Sequence, residues 1–367
     1  MGRFASLVVL LLAACGDNSV LDGQPGPGPN DQVGANNTDG ASPRYVPSVC
    51  GAQTWTTSVS NVAMDVAVAG RPDGATILAT PQAGGDLTGF VLDTRMRMVA
   101  DATKVAIDTP FEQIAVSYVG DRIVSTGIAS GALYLHLLDN DLTNPQLVTK
   151  IPANTLPQPA FYNTQADIVM PVGDDNGLTL YRFADSLEPI DTLTVAPTKP
   201  VRSMAATQLG VSTLAAWSTD TECYMMQLAG YAPGPMAYQP VACPSPSIAV
   251  NQKTGAGVMV FDSAEGVRVM FTQATQMGGD ARVLRPDTSS AHTLFDGTNF
   301  WVTFLDSRGD LIVGFLDSDR QLVSMSLGGP HPLGQAYDLA MVEGAPWVFA
   351  LDENGYSGHR LCVDAQW

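Results

Sequence analysis

Short apolar stretches that close on aspartate return along this chain at a nearly constant interval. They are Phe90-Val91-Leu92-Asp93, Leu137-Leu138-Asp139, Arg182-Phe183-Ala184-Asp185, Phe315-Leu316-Asp317 and Leu361-Cys362-Val363-Asp364. The first two intervals are 46 residues and the last is 47, while the 132 residues from Asp185 to Asp317 hold three steps of 44. That spacing predicts two worn copies near Ala229 and Gln273, and apolar stretches do end there, Tyr224 to Leu228 and Val267 to Phe271. A second marker keeps the same phase about eight residues earlier: Gly85, Gly131, Gly177, Gly266, Gly309 and Gly355. Asp306-Ser307-Arg308-Gly309 and Asp352-Glu353-Asn354-Gly355 are near copies, and Trp301 and Trp347 each stand five residues before the Asp.

A β-rich unit of about 45 residues, with no helical pattern of useful length, is the size of a β-propeller blade. The expected fold is all-β: a seven-bladed β-propeller of four-stranded antiparallel blades, with a solenoid or two stacked sandwiches as rivals. Strand a falls near Gln113 to Tyr118 or Asp338 to Val342, b ends at the glycine turn, c ends at the repeated Asp, and d follows. The final unit stops after c, and Ala52 to Val59 is the strand expected to complete it. Closing the ring in this way removes open sheet edges.

The amino-terminal residues carry a different signal. Leu12-Ala13-Ala14-Cys15 closes an apolar run that starts at Leu7, behind a single Arg3. The run is too short to span a bilayer, and it resembles the lipobox of bacterial lipoprotein precursors. The resemblance implies a signal peptide over 1–14 and lipidation of Cys15, whose acyl chains would anchor the protein to a membrane. Gly16 stands where Asp retains such proteins in the inner membrane, which favours the outer membrane of the cell envelope. Residues 15–47 read as a tether, rich in Gly, Pro, Asn and Asp, with too little apolar surface to offset its ordering entropy. Its 32 or so residues reach roughly 30 Å as a flexible coil. Residues 48–367 form the propeller domain, expected to be monomeric.

Acidic residues number 36 against 18 basic, a net charge of −18 with no basic cluster along the sequence, so nucleic acid would be repelled. Four cysteines follow Cys15, an even number that suits disulfides in an exported chain. Cys223 opens strand c of the fourth unit and Cys243 is placed at the end of its strand d, about the midpoint Ala232 to Pro235, so the two should pair. Cys362 and Cys50 should meet where the ring closes. No two cysteines lie two to four residues apart and the histidines are scattered, so no metal site is expected. Calcium has only weak candidates, the oxygen-rich turns Asp139-Asn140-Asp141 and Asp174-Asp175-Asn176-Gly177.

Catalytic signatures are missing from the sequence: there is no Gly-x-Ser-x-Gly elbow, His-Glu-x-x-His, phosphate loop or dinucleotide fingerprint. The Asp-turn-Gly units also lack the ordered spacing of the sialidase Asp box. His136 is read as a rim residue, and Trp301 and Trp347 as blade packing. The b to c turns hold Asp86, Asp174, Asp175, Asp220, Glu222, Asp262, Glu265, Asp306, Asp352 and Glu353. Because antiparallel strands put these turns on one rim with the d to a loops, Asp174, Asp175, Asp306 and Asp352 are proposed to mark an acidic binding face for cations or a basic partner. The function expected is that of a membrane-anchored binding or scaffold protein for a protein or carbohydrate ligand. The alternative is a propeller-type hydrolase or lyase acting on envelope or extracellular polysaccharide.

Overall fold

The computed structural model describes residues 44–366, apart from 56–62, 72, 82–85, 100–102, 108, 158–161, 164–167, 196, 230, 274–275, 279–280, 329–330, 333–335 and 353. They form seven antiparallel sheets and no helix. The chain enters on β1 (Arg44–Trp55). Blade 1 is β2 (Ala63–Arg71), β3 (Gly74–Pro81), β4 (Leu87–Leu92) and β5 (Thr103–Val105). Blade 2 is β6 (Gln113–Val119), β7 (Arg122–Ala129), β8 (Ala132–Leu138) and β9 (Gln146–Pro152). Blade 3 is β10 (Tyr162–Asn163), β11 (Ile168–Asp174), β12 (Gly177–Phe183) and β13 (Pro189–Val195). Blade 4 is β14 (Ser203–Leu209), β15 (Ser212–Ser218), β16 (Cys223–Ala229) and β17 (Ala232–Gln239). Blade 5 is β18 (Ser247–Val250), β19 (Ala256–Phe261), β20 (Gly266–Gln273), β21 (Gln276–Met277) and β22 (Arg282–Pro286). Blade 6 is β23 (Thr288–Phe295), β24 (Phe300–Asp306), β25 (Leu311–Leu316) and β26 (Leu322–Ser326). Blade 7 is β27 (Tyr337–Val342), β28 (Ala345–Asp352) and β29 (Gly355–Gln366), completed by β1.

Strands b and c lie inside a blade that is covered on both faces, so they read as almost continuous apolar runs. All of β15 and β25 is buried, while the outer strands β9 and β13 are largely exposed. The core is accordingly divided. Seven clusters of buried side chains each join two neighbouring blades, as where Phe90 and Ile77 of blade 1 meet Trp347 and Phe349 of blade 7. The tryptophans at the repeated position, Trp301 and Trp347, are blade packing as expected. His136 is corrected: it lies buried in the blade 2 sheet, edge-on to Phe111, and not on a rim.

In blades 1, 2 and 6 the repeated Asp marks the end of strand c because it heads a tight turn, whereas Asp364 lies inside β29, opposite Val46. Asp93, Asp139 and Asp317 each donate their N–H to the carbonyl four residues on, and their own carbonyl accepts the N–H three residues on. In blade 3 Ala184 takes that position, one residue before Asp185. The fourth turn residue is left-handed in all four: Met96, Leu142, Leu187 and Arg320 have φ of 56°, 62°, 68° and 63°. Three of these side chains are buried, so the strain of a positive φ is held by packing. The glycine marker serves the opposite rim, where Gly177, Gly266 and Gly355 open strand c at φ near 120–130°.

The closing strand is longer and earlier than the sequence suggests. It runs from Arg44 to Trp55, with 56–59 outside the described residues, so 44–47 belong to a strand and not to the tether. Pro47 disguised it, yet an outermost strand bonds on one side only and tolerates proline. β1 pairs with β29 through eleven residue pairs, with a bulge between Val49 and Gly51. Cys50 sits at that bulge, inside the strand, and Cys362 lies within β29; their Cα atoms are 5.7 Å apart in a disulfide. Cys223 and Cys243 form the second, with Cα atoms 5.3 Å apart. Cys243 follows β17 in the loop to blade 5, and Pro233 and Pro235 lie in that outer strand, not in its turn.

Candidate functional site

The inner strands of the blades line a central channel, and polar side chains on them tie neighbouring blades together at four of the seven seams. Asp65 accepts the N–H of Ile114 at 3.0 Å, Ser203 that of Ser245 at 3.0 Å, and Ser247 that of Thr293 at 3.0 Å. Asp338 accepts the N–H of Val68 at 2.8 Å across the closing seam, and that of Leu339. These residues recur at the period of the blades and form a belt of latches round the channel. Burial pushes the Asp65 carboxyl up from 3.8 to about 6, against the N–H groups of Ile114 and Val66, which pull it down.

Two cavities open along this channel. One of about 210 Å³ is lined by Ser247, Ser290, His292 and Asp338 among others, and one of about 360 Å³ by Val68, Ser117, Tyr118 and Asp338. His292 Nδ1 is 3.7 Å from Asp338 Oδ1, and its ring meets Tyr337 edge-on at 4.8 Å. Burial lowers the imidazole to about 4, so His292 is neutral near pH 7. The Tyr337 hydroxyl donates to the Ser290 carbonyl, and burial pushes its pKa well up. Both carboxylate oxygens of Asp338 are engaged with main-chain N–H groups, so the channel's central acid holds the ring together. Sequence reasoning missed Asp65, His292 and Asp338; their signal was a polar residue at blade period on strands otherwise apolar.

The acidic residues between strands b and c do share one rim, distributed round the ring and partly occupied by the turns themselves. Asp174 accepts the N–H of Asn176 at 2.7 Å, Asp352 that of Asn354 at 2.7 Å, and Asp306 those of Arg308 and Asp310 at 2.8 and 3.0 Å. Asp175 accepts from Asn154 at 2.9 Å and lies 3.6 Å from Arg202, which also pairs with Asp220 at 2.9 Å. Asp86 and Glu265 pair with Lys104 and Arg268. Burial raises the Asp262 carboxyl, and Glu353 lies outside the described residues. In the two turns considered for calcium, Asp141 accepts from both the N–H and hydroxyl of Thr143, and Asp139 from Asn144. Among the described residues no three His, Cys, Asp or Glu side chains gather as a metal site would require. Cys15 lies outside the described residues.

The densest group on this rim is on blade 4. Glu222 accepts from Lys199 at 2.5 Å, from the Tyr224 hydroxyl at 2.7 Å and from the Tyr238 hydroxyl at 3.4 Å. Lys199 and the tyrosine hydroxyls hold its carboxyl below the usual range. Tyr224 stacks on buried Trp217 at 5.3 Å and packs against Tyr238 at 5.4 Å. Met236 and Tyr238, two apart on β17, point the same way and stay 43% and 49% exposed, with Val241 at 53%. The Cys223–Cys243 disulfide ties the start of β16 to the segment after β17 at the rim end of this surface. Aromatic and Met side chains beside Arg are residue types enriched at protein-binding surfaces. In the sequence this patch is marked only by the alternation Met236-Ala237-Tyr238.

No protein-family model matches this sequence, and no curated protein matches it. Solved structures do share its fold. The chain is similar to BBS1N in a crystal structure of its complex with ARL6DN soaked with mercury, at 11% identity and a TM-score of 0.55, covering 88% of this chain and 98% of that one. It is also similar to the Kuenenia stuttgartiensis hydrazine synthase, at 12% identity and a TM-score of 0.61, covering 84% of this chain and 99% of that one. At such identities the likeness is one of fold, a β-propeller, and functions vary widely on it.

Proposed function

We propose that this chain is a lipid-anchored β-propeller of the cell envelope that binds a protein partner on its b to c rim, chiefly through blade 4. The observation that carries the partner is the exposed Met236, Tyr238 and Val241 surface beside the Lys199, Arg202, Asp220 and Glu222 charges. The acids Asp174, Asp175, Asp306 and Asp352 extend that rim and favour a partner with a basic face. BBS1N, of similar fold, is found with a protein bound. The anchor rests on the lipobox-like Leu12 to Cys15, and two disulfides suit a protein matured outside the cytoplasm. An enzymatic role has less to draw on, since the channel carboxylates Asp65 and Asp338 accept main-chain N–H groups.

Chemical crosslinking followed by recovery of the protein from membranes tests this. Tyr238→Ala with Met236→Ala should lose the crosslinked partner at least tenfold while melting like the parent, because truncating a hot-spot residue costs about 2 kcal/mol or more. Cys15→Ser should move the protein out of the membrane fraction. Full recovery of the partner by the double variant, or membrane association unchanged by Cys15→Ser, would contradict the respective half of the proposal.

A further inference from the structure

On the opposite rim, at the seam between blades 5 and 6, three arginines gather; Asp317 and Asp319 share the turn of Arg320, and Asp317 there accepts the Gln321 N–H. Arg282 on β22 and Arg320 in the β25–β26 turn both place their guanidinium over the ring of Phe271, with Cζ 5.5 and 4.6 Å from its centroid. The Arg282 side chain also donates to the Arg320 carbonyl. Deeper in the seam, Arg285 lies over Phe304 at 5.9 Å and donates to Ser324 at 3.3 Å. Among the described residues, none of these three has an ion pair, although Arg97, Arg182, Arg202 and Arg268 all do. In a chain with two acidic residues for every basic one, three arginines side by side run against composition. The shared ring holds the two exposed guanidiniums beside one another, and each carries five N–H donors, of which the Arg320 carbonyl takes one from Arg282.

We infer that Arg282 and Arg320, stacked on Phe271, form a binding site for a phosphate group. Two monovalent cations match a tetrahedral dianion better than a single carboxylate, and a guanidinium fork presents paired donors to such an oxyanion. The cluster owes its geometry to a local departure from the repeat. Blade 5 places both β21 and β22 on β20, and this brings Arg282 across to the turn of blade 6. The phosphate has two sources of the same chemistry, a soluble ion or a lipid headgroup. The headgroup source draws on the proposed anchor, since β1 begins at Arg44 on this same rim, where outer strands start.

The test is calorimetric titration of the full chain with inorganic phosphate, ionic strength held constant with sodium chloride. Binding is expected, and Arg282→Gln or Arg320→Gln should each weaken it about tenfold, the loss of one charge-assisted hydrogen bond. Phe271→Leu, which keeps both charges but removes the ring, should weaken it as well. Arg308→Gln on the opposite rim should leave it unchanged, and unaltered melting of every variant will show that the fold is kept. Sedimentation of the Cys15→Ser chain with phosphatidylcholine vesicles, with and without phosphatidic acid, separates the sources. Phosphate binding with pelleting on phosphatidic acid assigns a headgroup, and phosphate binding without pelleting assigns a soluble phosphate. No heat with phosphate, or equal affinity in the Arg282→Gln, Arg320→Gln double variant, would overturn the site.

Discussion

Individual residues in this ring do two kinds of work, and only one of them is legible in sequence. The Asp that heads the c to d turn in blades 1, 2 and 6 advertises itself because that turn favours it at a fixed position. Asp65, His292 and Asp338 give no such notice, since a sequence shows that a residue lies on a strand and not which blade its side chain reaches. Their burial has a measurable consequence. Asp65 holds its proton more tightly folded than unfolded, so its contribution to stability is full below about pH 4 and is lost as pH rises through about 6. His292, pushed down to about 4, contributes fully above its ordinary 6.5 and loses that as pH falls. In urea unfolding from about pH 4 to 6.5, Asp65→Asn should therefore steepen the loss of stability on acidification. His292→Gln should shallow it; the change reaches at most about 3 kcal/mol for Asp65 and less for His292, whose side chain is 34% exposed. Identical slopes in the two variants and the parent would show that neither group is held as described.

Elements were read with uneven success for physical reasons. Strands b and c were placed closely, down to the worn copies ending at Ala229 and Gln273, because burial on both faces writes a continuous apolar run. Outer strands carry a weaker imprint: β1 and β17 hold prolines, and blade 5 divides its outer position between β21 and β22. The patch on blade 4 lies on one of these poorly marked strands, so the partner surface was harder to find than the acidic turns beside it. Glycine at the start of strand c is a matter of backbone geometry. A Cβ on Gly266, at φ +124°, would meet the Arg285 carbonyl oxygen at 2.3 Å. Gly266→Ala should thus cost about 2–3 kcal/mol in denaturant unfolding, whereas Gly309→Ala, where nothing lies within 4 Å, should cost only about 1 from its positive φ. Equal losses would mean that the close approach is not there.

At the scale of the whole molecule, stability depends on the ring being closed by its two distant ends. Each of the seven cores joins neighbouring blades, so an open seam leaves the fold with two unpaired faces. A chain that begins at residue 56 lacks β1 and the Cys50–Cys362 bridge, and should melt far below one that begins at 44. Cys50→Ser alone should cost about 2–5 kcal/mol, which separates the bridge from the strand. Matching melting temperatures for the two truncated chains would show that β1 is dispensable. The closure itself is most directly tested by peptide mapping of the unreduced protein. One linked peptide pair should join Cys50 to Cys362 and another Cys223 to Cys243; a peptide joining Cys50 to Cys223 or to Cys243 would contradict a ring closed by its two ends.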